Sequence, residues 1–148
     1  MAHEGMVHAL EQCWNVLKPG GQLLDMRPIS TGRILEIVGE GEAREAGIID
    51  DSGGLPNDEA ADRAIANLVT RGYFATGDSR KFYFANYWDT FDQMLRYVEE
   101  RWNEFAFIPE PTMLEAGRLL AEAGSKPTRI RVRVPIRIVI YQRVEPAS

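Results

Sequence analysis

The stretch that decides the fold lies near the start of the chain, where residues 9–25 are ALEQCWNVLKPGGQLLD. Apolar side chains recur there every three or four positions up to Leu17, a spacing that predicts an amphipathic helix. Residues 18–21 (KPGG) end the helix, because proline cannot continue it and glycine tolerates the left-handed turn that reverses the chain. Residues 22–27 then predict a strand, which Pro28 stops.

Outward from this stretch, the pattern alternates strands and helices. The predicted elements are a strand over 33–38, a helix over about 57–71, a strand over 81–85, helices opened by Thr90 with Gln93 and by Thr112 with Glu115, and a final strand over 129–141. The acidic, glycine-rich residues 39–56 are expected to form a long loop or a mobile insertion. Pro135, inside the final strand, is expected to mark a bulge or an edge position. The pattern predicts an α/β to α+β fold, with a mixed sheet of about four strands and helices packed on it.

Length and composition limit the class of protein. The chain has 148 residues, 45% of them hydrophobic and 26% charged, which suits a single globular domain over residues 1–148. A net charge of −5 argues against a nucleic-acid partner, because binding to a phosphate backbone needs a basic face. The single cysteine, Cys13, is interpreted as a small buried apolar residue. Without a long apolar run or a signal sequence, we expect a soluble, cytoplasmic protein with no membrane partner.

Residues 9–25 resemble a stretch of the class I S-adenosylmethionine (SAM) methyltransferases. That stretch comprises a helix, the sequence Leu-Lys-Pro-Gly-Gly (residues 17–21 here) and the fifth strand of the sheet. His3-Glu4 also stands where that family often has a histidine after its fourth strand. The resemblance implies a truncated Rossmann-like fold that corresponds to the C-terminal half of such an enzyme. Beyond Pro28 the similarity is one of topology only.

The half of the family that holds SAM has no counterpart in this sequence. In the family, SAM lies on a glycine-rich loop after the first strand, and an acidic residue at the end of the second strand binds the ribose. Both precede the region matched here. Residues 39–42 (GEGE) are no substitute, because they carry two acidic side chains and open no capped helix. We therefore expect no cofactor in this chain and assign no catalytic, cofactor-binding or metal-binding residue.

The N-terminal histidines do not have the spacing of a metal site. His3 and His8 stand five residues apart, whereas two ligands on one helical face stand four apart, and apart from Glu4 no third ligand is near in sequence.

Six residues are candidates for contact with a ligand or a partner. Asp25 and Arg27 end the first strand, at the edge where open α/β sheets bind ligands, although a structural ion pair is the alternative. Twelve of the fourteen aromatic residues lie between positions 73 and 107, more than one helix and one strand can bury in a small core. Some of them are therefore expected to line a pocket or a subunit interface. The aromatic candidates are Tyr83, Tyr87, Trp88 and Trp102.

Five arginines occupy odd positions along the final strand. They are Arg129, Arg131, Arg133, Arg137 and Arg143. Such a row is either an anion site or a solvated face, the latter including a face opposite the acidic 40–51 segment. The sequence leaves these alternatives open.

Three hypotheses of function follow. The leading one is a methyltransferase-like fragment, non-catalytic by itself, that acts as a dimerising or ligand-binding module. A homodimer is expected because the strand over 22–27 lacks the family's fourth strand beside it, although a hairpin with the strand over 33–38 would also cover that edge. The alternative is a SAM-dependent methyltransferase whose N-terminal half is truncated or supplied by another chain. A small-molecule carrier built on the aromatic cluster is the third, and whether the protein is an enzyme stays undecided.

Overall fold

The computed structural model describes residues 3–147. Its elements are α1 (His3–Val16), β1 (Gln22–Pro28), β2 (Ile34–Gly39), β3 (Glu42–Ile48), a 3-10 turn (Ser52–Gly54), α2 (Leu55–Thr70), β4 (Phe74–Trp88), α3 (Phe91–Tyr97), a π-helical turn (Val98–Trp102), α4 (Glu110–Ala123) and β5 (Arg129–Arg143). The expected combination of helices and strands is confirmed.

The five strands form an antiparallel sheet in which β5 pairs with β1, β2 and β4, and β3 pairs with β2. The prediction of a mixed sheet was therefore wrong, and the sheet has five strands where about four were expected. Parallel neighbours need a long crossover connection, usually a helix. Here short turns join β1 to β2 and β2 to β3, while β5 pairs antiparallel to both β1 and β2.

The described residues group into two compact units. The first contains the residues up to Pro28, Leu55–Phe82 and the residues from Ile136 onward, and the second contains Ile29–Gly54 and Tyr83–Pro135. Both β4 and β5 contribute residues to each unit.

In the first unit, β1 pairs with β5 in a register that runs from Gln22 opposite Gln142 to Pro28 opposite Ile136. In the strand order of the described sheet β1 and β2 are not neighbours, so the hairpin that the sequence offered as an alternative is absent. The core consists of buried residues from α2, β4 and β5: Ile65, Leu68, Phe74, Val139 and Tyr141. Helix α1 contributes side chains that are partly buried against this core but none that are fully buried.

The C-terminal end of α1 is held by Arg143. Its guanidinium group donates to the carbonyl oxygen of Trp14 at 3.0 Å and to that of Leu17, two acceptors left open at the end of the helix. The same group lies 3.8 Å from the centre of the Trp14 ring, whose Nε1 donates to the carbonyl oxygen of Val144 at 2.9 Å. Helix α1 is thus held by hydrogen bonds to Arg143 at the end of β5 and to Val144 just after it.

In the second unit, residues 42–48 form β3, so the loop expected over 39–56 was wrong. Gly41 has a φ of 71°, which permits the tight turn from β2 into β3. Ala46 is buried on β3, and the hydroxyl of Thr112 donates to the carbonyl oxygen of Ile48 at 2.7 Å. Residues 42–48 are poor in β-forming residue types, but they form a strand because they pair with β2 and pack against α4.

Three further expectations concern helix starts and proline. The capping box of Thr90 and Gln93 at the start of α3 is confirmed. The one at Thr112 is wrong, because α4 begins at Glu110 after Pro109 and the Thr112 side chain bonds to β3 instead. Pro135 is buried within β5, between the stretch that pairs with β2 and the stretch that pairs with β1. The buried positions of β5 are even-numbered before Pro135 and odd-numbered after it, a change of phase of the kind that a bulge produces.

Candidate functional site

An apolar cleft of about 350 Å³ opens in the first unit between α1, β1 and α2. We call it the apolar cleft. Met6 and Leu10 line it from α1, Leu24 from β1 and Ile65 from α2. The amphipathic pattern of α1 places its apolar residues toward the cleft and the core, so the cleft follows from the helix that the sequence predicted.

Asp25 and Arg27 lie together at the rim of the apolar cleft. Arg27 donates through Nε and Nη2 to the two carboxylate oxygens of Asp25, at 2.8 and 2.9 Å. It also donates to Asp62 at 2.7 Å and to the carbonyl oxygen of Asp58 at 3.3 Å. Burial works against the charged guanidinium group, but the hydrogen bonds that Arg27 donates to Asp25 and Asp62 outweigh this effect and raise the pKa of Arg27. The ion pair between Asp25 and Arg27, which the sequence left open as the alternative to contact with a ligand, is therefore present.

The outer edge of β1 has no strand beside it among residues 3–147. The backbone N–H of Arg143 donates to the carbonyl oxygen of Gly21 at 2.8 Å. Because backbone hydrogen bonds alternate along an antiparallel pair, the odd-numbered residues of β1 bond to β5, and the backbone groups of the even-numbered residues point away from β5. The side chains of two of these even-numbered residues are exposed, Leu24 at 59% and Met26 at 62%. This β1 edge combines unpaired amides with apolar side chains.

In the second unit, Trp88 and Trp102 belong to a compact aromatic cluster. Their ring centroids are 6.3 Å apart, and Tyr97 lies within 5.6 Å of both. Trp102 also covers the guanidinium group of Arg33 at 4.4 Å, and Arg33 forms a buried ion pair with Asp51 at 3.1 Å. Trp102 is buried and Trp88 is partly buried, so both rings pack within this unit.

Tyr83 and Tyr87 are exposed and lie beside the arginines of β5. The Arg133 guanidinium carbon is 5.1 Å from the centre of the Tyr83 ring, and that of Arg129 is 4.7 Å from the Tyr87 ring. Arg131 donates weakly to the Tyr87 hydroxyl at 3.4 Å. We call these two tyrosines and three arginines the arginine face.

Glu36 anchors the arginine face from β2. One of its carboxylate oxygens accepts hydrogen bonds from Arg131 at 3.0 Å and from Arg133 at 2.7 Å. Burial alone would raise the pKa of Glu36, but the two arginines reverse the effect and hold the pKa below its ordinary value. The acidic 40–51 segment is thus not the partner of Arg131 and Arg133.

Sequence reasoning did not find Glu36 or the Arg33–Asp51 pair. The signal for Glu36 was a charged residue in the middle of an otherwise apolar strand, ILEIVG. Asp51 stands in the acidic stretch that was expected to be a loop, so nothing in its surroundings indicated burial. Within residues 3–147 no group of three or more histidine, cysteine or acidic side chains is arranged to hold a metal ion. None of the helices in that range is long and apolar enough to span a membrane.

Comparisons of the chain with protein-family models, with curated proteins and with solved structures find no match.

Proposed function

We propose that this chain is a non-catalytic, methyltransferase-like module that forms a homodimer through the β1 edge. The observation that supports the proposal is the row of outward backbone groups on β1 beside the exposed side chains of Leu24 and Met26. Natural proteins seldom leave such an edge bare, because it pairs readily with other strands. The α1–turn–β1 arrangement also supports the resemblance to the truncated Rossmann-like fold, although the antiparallel pairing with β5 alone does not define that fold.

The β1 edge is self-complementary about Met26. When two copies pair antiparallel with the twofold axis at Met26, Leu24 of one copy lies opposite Pro28 of the other. Asp25 then lies opposite Arg27, so that opposite charges meet on the other face of the strands. Leu24 and Met26 of each copy donate backbone hydrogen bonds across the axis, and Pro28, which has no N–H, leaves no donor unpaired.

The experiment is sedimentation equilibrium at micromolar concentration on the wild type and two variants. We expect the wild type to be a dimer and Met26→Lys to be a monomer, because a charge at the twofold axis would meet its own copy. The matched control is Leu114→Lys, which changes an equally exposed apolar side chain on α4 (67% exposed) and leaves the dimer intact. A monomeric wild type would overturn the proposal.

A second candidate is a SAM-dependent methyltransferase whose other half comes from elsewhere. The β1 edge also favours this candidate, because the family that the sequence resembles pairs its fourth strand with the strand that matches β1. Isothermal titration with SAM and with its demethylated product separates the two. The homodimeric module binds neither, whereas a dissociation constant in the low micromolar range would favour the enzyme.

A further inference from the structure

The arginine face holds more positive charge than its own carboxylates neutralise. Arg131 and Arg133 bond to a single oxygen of Glu36, and Arg129 approaches Asp89 at 3.4 Å in an exposed pair. Three guanidinium groups therefore meet two carboxylates, which leaves one positive charge. Glu45 stands opposite Glu36 on β3 and points to the same face of the sheet, but β2 separates it from β5. The ion-pair partner of Arg131 and Arg133 is Glu36.

The guanidinium groups are held in place, which lowers the entropic cost of binding. Arg133 reaches Glu36 through Nε and lies over the Tyr83 ring, a geometry that leaves its terminal nitrogens for another acceptor. Arg131 likewise bonds to Glu36 through Nε and is steadied by Tyr87. The side chains of Arg131 and Arg133 are 21% and 34% exposed, so each is fixed on one side and open on the other.

The tyrosines add a flat apolar surface beside these donors. Tyr83 is 48% exposed and Tyr87 is 43% exposed, so both rings are accessible beside the arginines. Aromatic rings next to fixed guanidinium groups suit a flat ring that carries an anionic group, since the ring stacks while the anion accepts paired hydrogen bonds.

We propose that the arginine face binds a small aromatic oxyanion, a ring that carries a phosphate or a carboxylate. Arg131 and Arg133 bind the oxygens of the anion, and Tyr83 and Tyr87 contact the ring. Glu36 is a positioning residue that orients both arginines. This site lies wholly within the second unit and does not depend on the dimer proposed for the first.

The experiment is a titration followed by two-dimensional ¹H–¹⁵N NMR, including the arginine Nε–H signals. The probes are phenyl phosphate, benzoate, inorganic phosphate and phenol. We expect phenyl phosphate and benzoate to shift the signals of Arg131 and Arg133. Phenyl phosphate is expected to bind about tenfold more tightly than inorganic phosphate and than phenol, because only it uses both the guanidinium groups and the rings. A stronger response to phenyl phosphate than to benzoate would identify phosphate as the preferred anion.

Two pairs of variants test the assignment. Arg133→Gln is expected to weaken phenyl phosphate about tenfold, whereas Arg118→Gln, which changes an exposed arginine on α4, has no effect. Arg133→Lys keeps the charge and is expected to bind more weakly than the wild type, because lysine lacks the paired donors. Equal binding of inorganic phosphate and phenyl phosphate, or wild-type affinity in both Arg133 variants, would overturn the proposal.

Discussion

The Arg27 network of the first unit and the Glu36 network of the second differ in their balance of charge. In the first, Arg27 has four hydrogen bonds to Asp25, Asp62 and the Asp58 carbonyl oxygen, and Arg137 adds a weaker bond to Asp62 at 3.3 Å. Two arginines there meet two carboxylates. In the second, two arginines meet one oxygen of Glu36. A network whose positive and negative charges balance has no charge left for a ligand. A network with an excess positive charge is suited to bind an anion.

The largest expected effect is at Glu36, which is 5% exposed. We expect Glu36→Ala to lower the free energy of unfolding by about 3 kcal/mol, because it leaves two partly buried guanidinium groups without their shared acceptor. Urea denaturation measures the loss. The matched control is Glu45→Ala on β3, whose exposed side chain we expect to contribute less than about 0.5 kcal/mol. Equal losses in the two variants would show that Glu36 does not anchor the two arginines.

Acidification sharpens the same point. Because the arginines hold the pKa of Glu36 in the folded protein below its ordinary value, its contribution to stability is present above the unfolded-state pKa. It is lost as the pH falls through the lower folded-state pKa. We expect the difference in unfolding free energy between wild type and Glu36→Ala to stay constant near neutral pH and to shrink at acid pH. A difference that grows on acidification would contradict this sign.

A smaller effect is expected at Asp25, in the first unit. Asp25→Asn weakens both bonds to Arg27, but Asp62 and the Asp58 carbonyl oxygen still accept from that arginine. We expect a loss of about 1–2 kcal/mol in urea denaturation. A loss greater than that of Glu36→Ala would mean that the balanced network is the more fragile of the two.

The smallest effect is expected at Asp62, whose side chain is 53% exposed. Exposed ion pairs contribute little and are screened by salt. We expect Asp62→Asn to cost less than about 1 kcal/mol and the cost to vanish at 1 M salt. A cost that salt leaves unchanged would show that Asp62 acts by packing rather than by charge.

The parts of the fold that depend on local chemistry could be predicted. The strand over 22–27 lies within β1 because the Pro-Gly-Gly turn before it and Pro28 at its end act on their immediate neighbours. Likewise, the Thr90–Gln93 capping box marks the start of α3 within a few residues. Both signals need no knowledge of the rest of the chain.

The parts that depend on distant partners could not be predicted. Residues 75–80 of β4, ATGDSR, are weak strand formers, and they are extended because β4 pairs with β5. Glu36 could be placed on a strand but not recognised as an anchor, since its arginines lie about 95 positions later in the chain. The sequence identified the candidate residues. Their individual contacts with arginines and carboxylates could be assigned only from the structure.

The place of β5 in the chain also has a consequence for synthesis. It pairs with β1, β2 and β4, yet it is translated after all of them. At about 5–20 residues per second, β1 leaves the ribosome roughly 5–20 s before β5 is complete. During that interval the β2–β3 hairpin can form, because its two strands are adjacent in sequence. The nascent strands β1 and β4 have no pairing partner during this interval, and β4 also carries exposed aromatic rings. This is the stage at which a chaperone would protect the chain from aggregation.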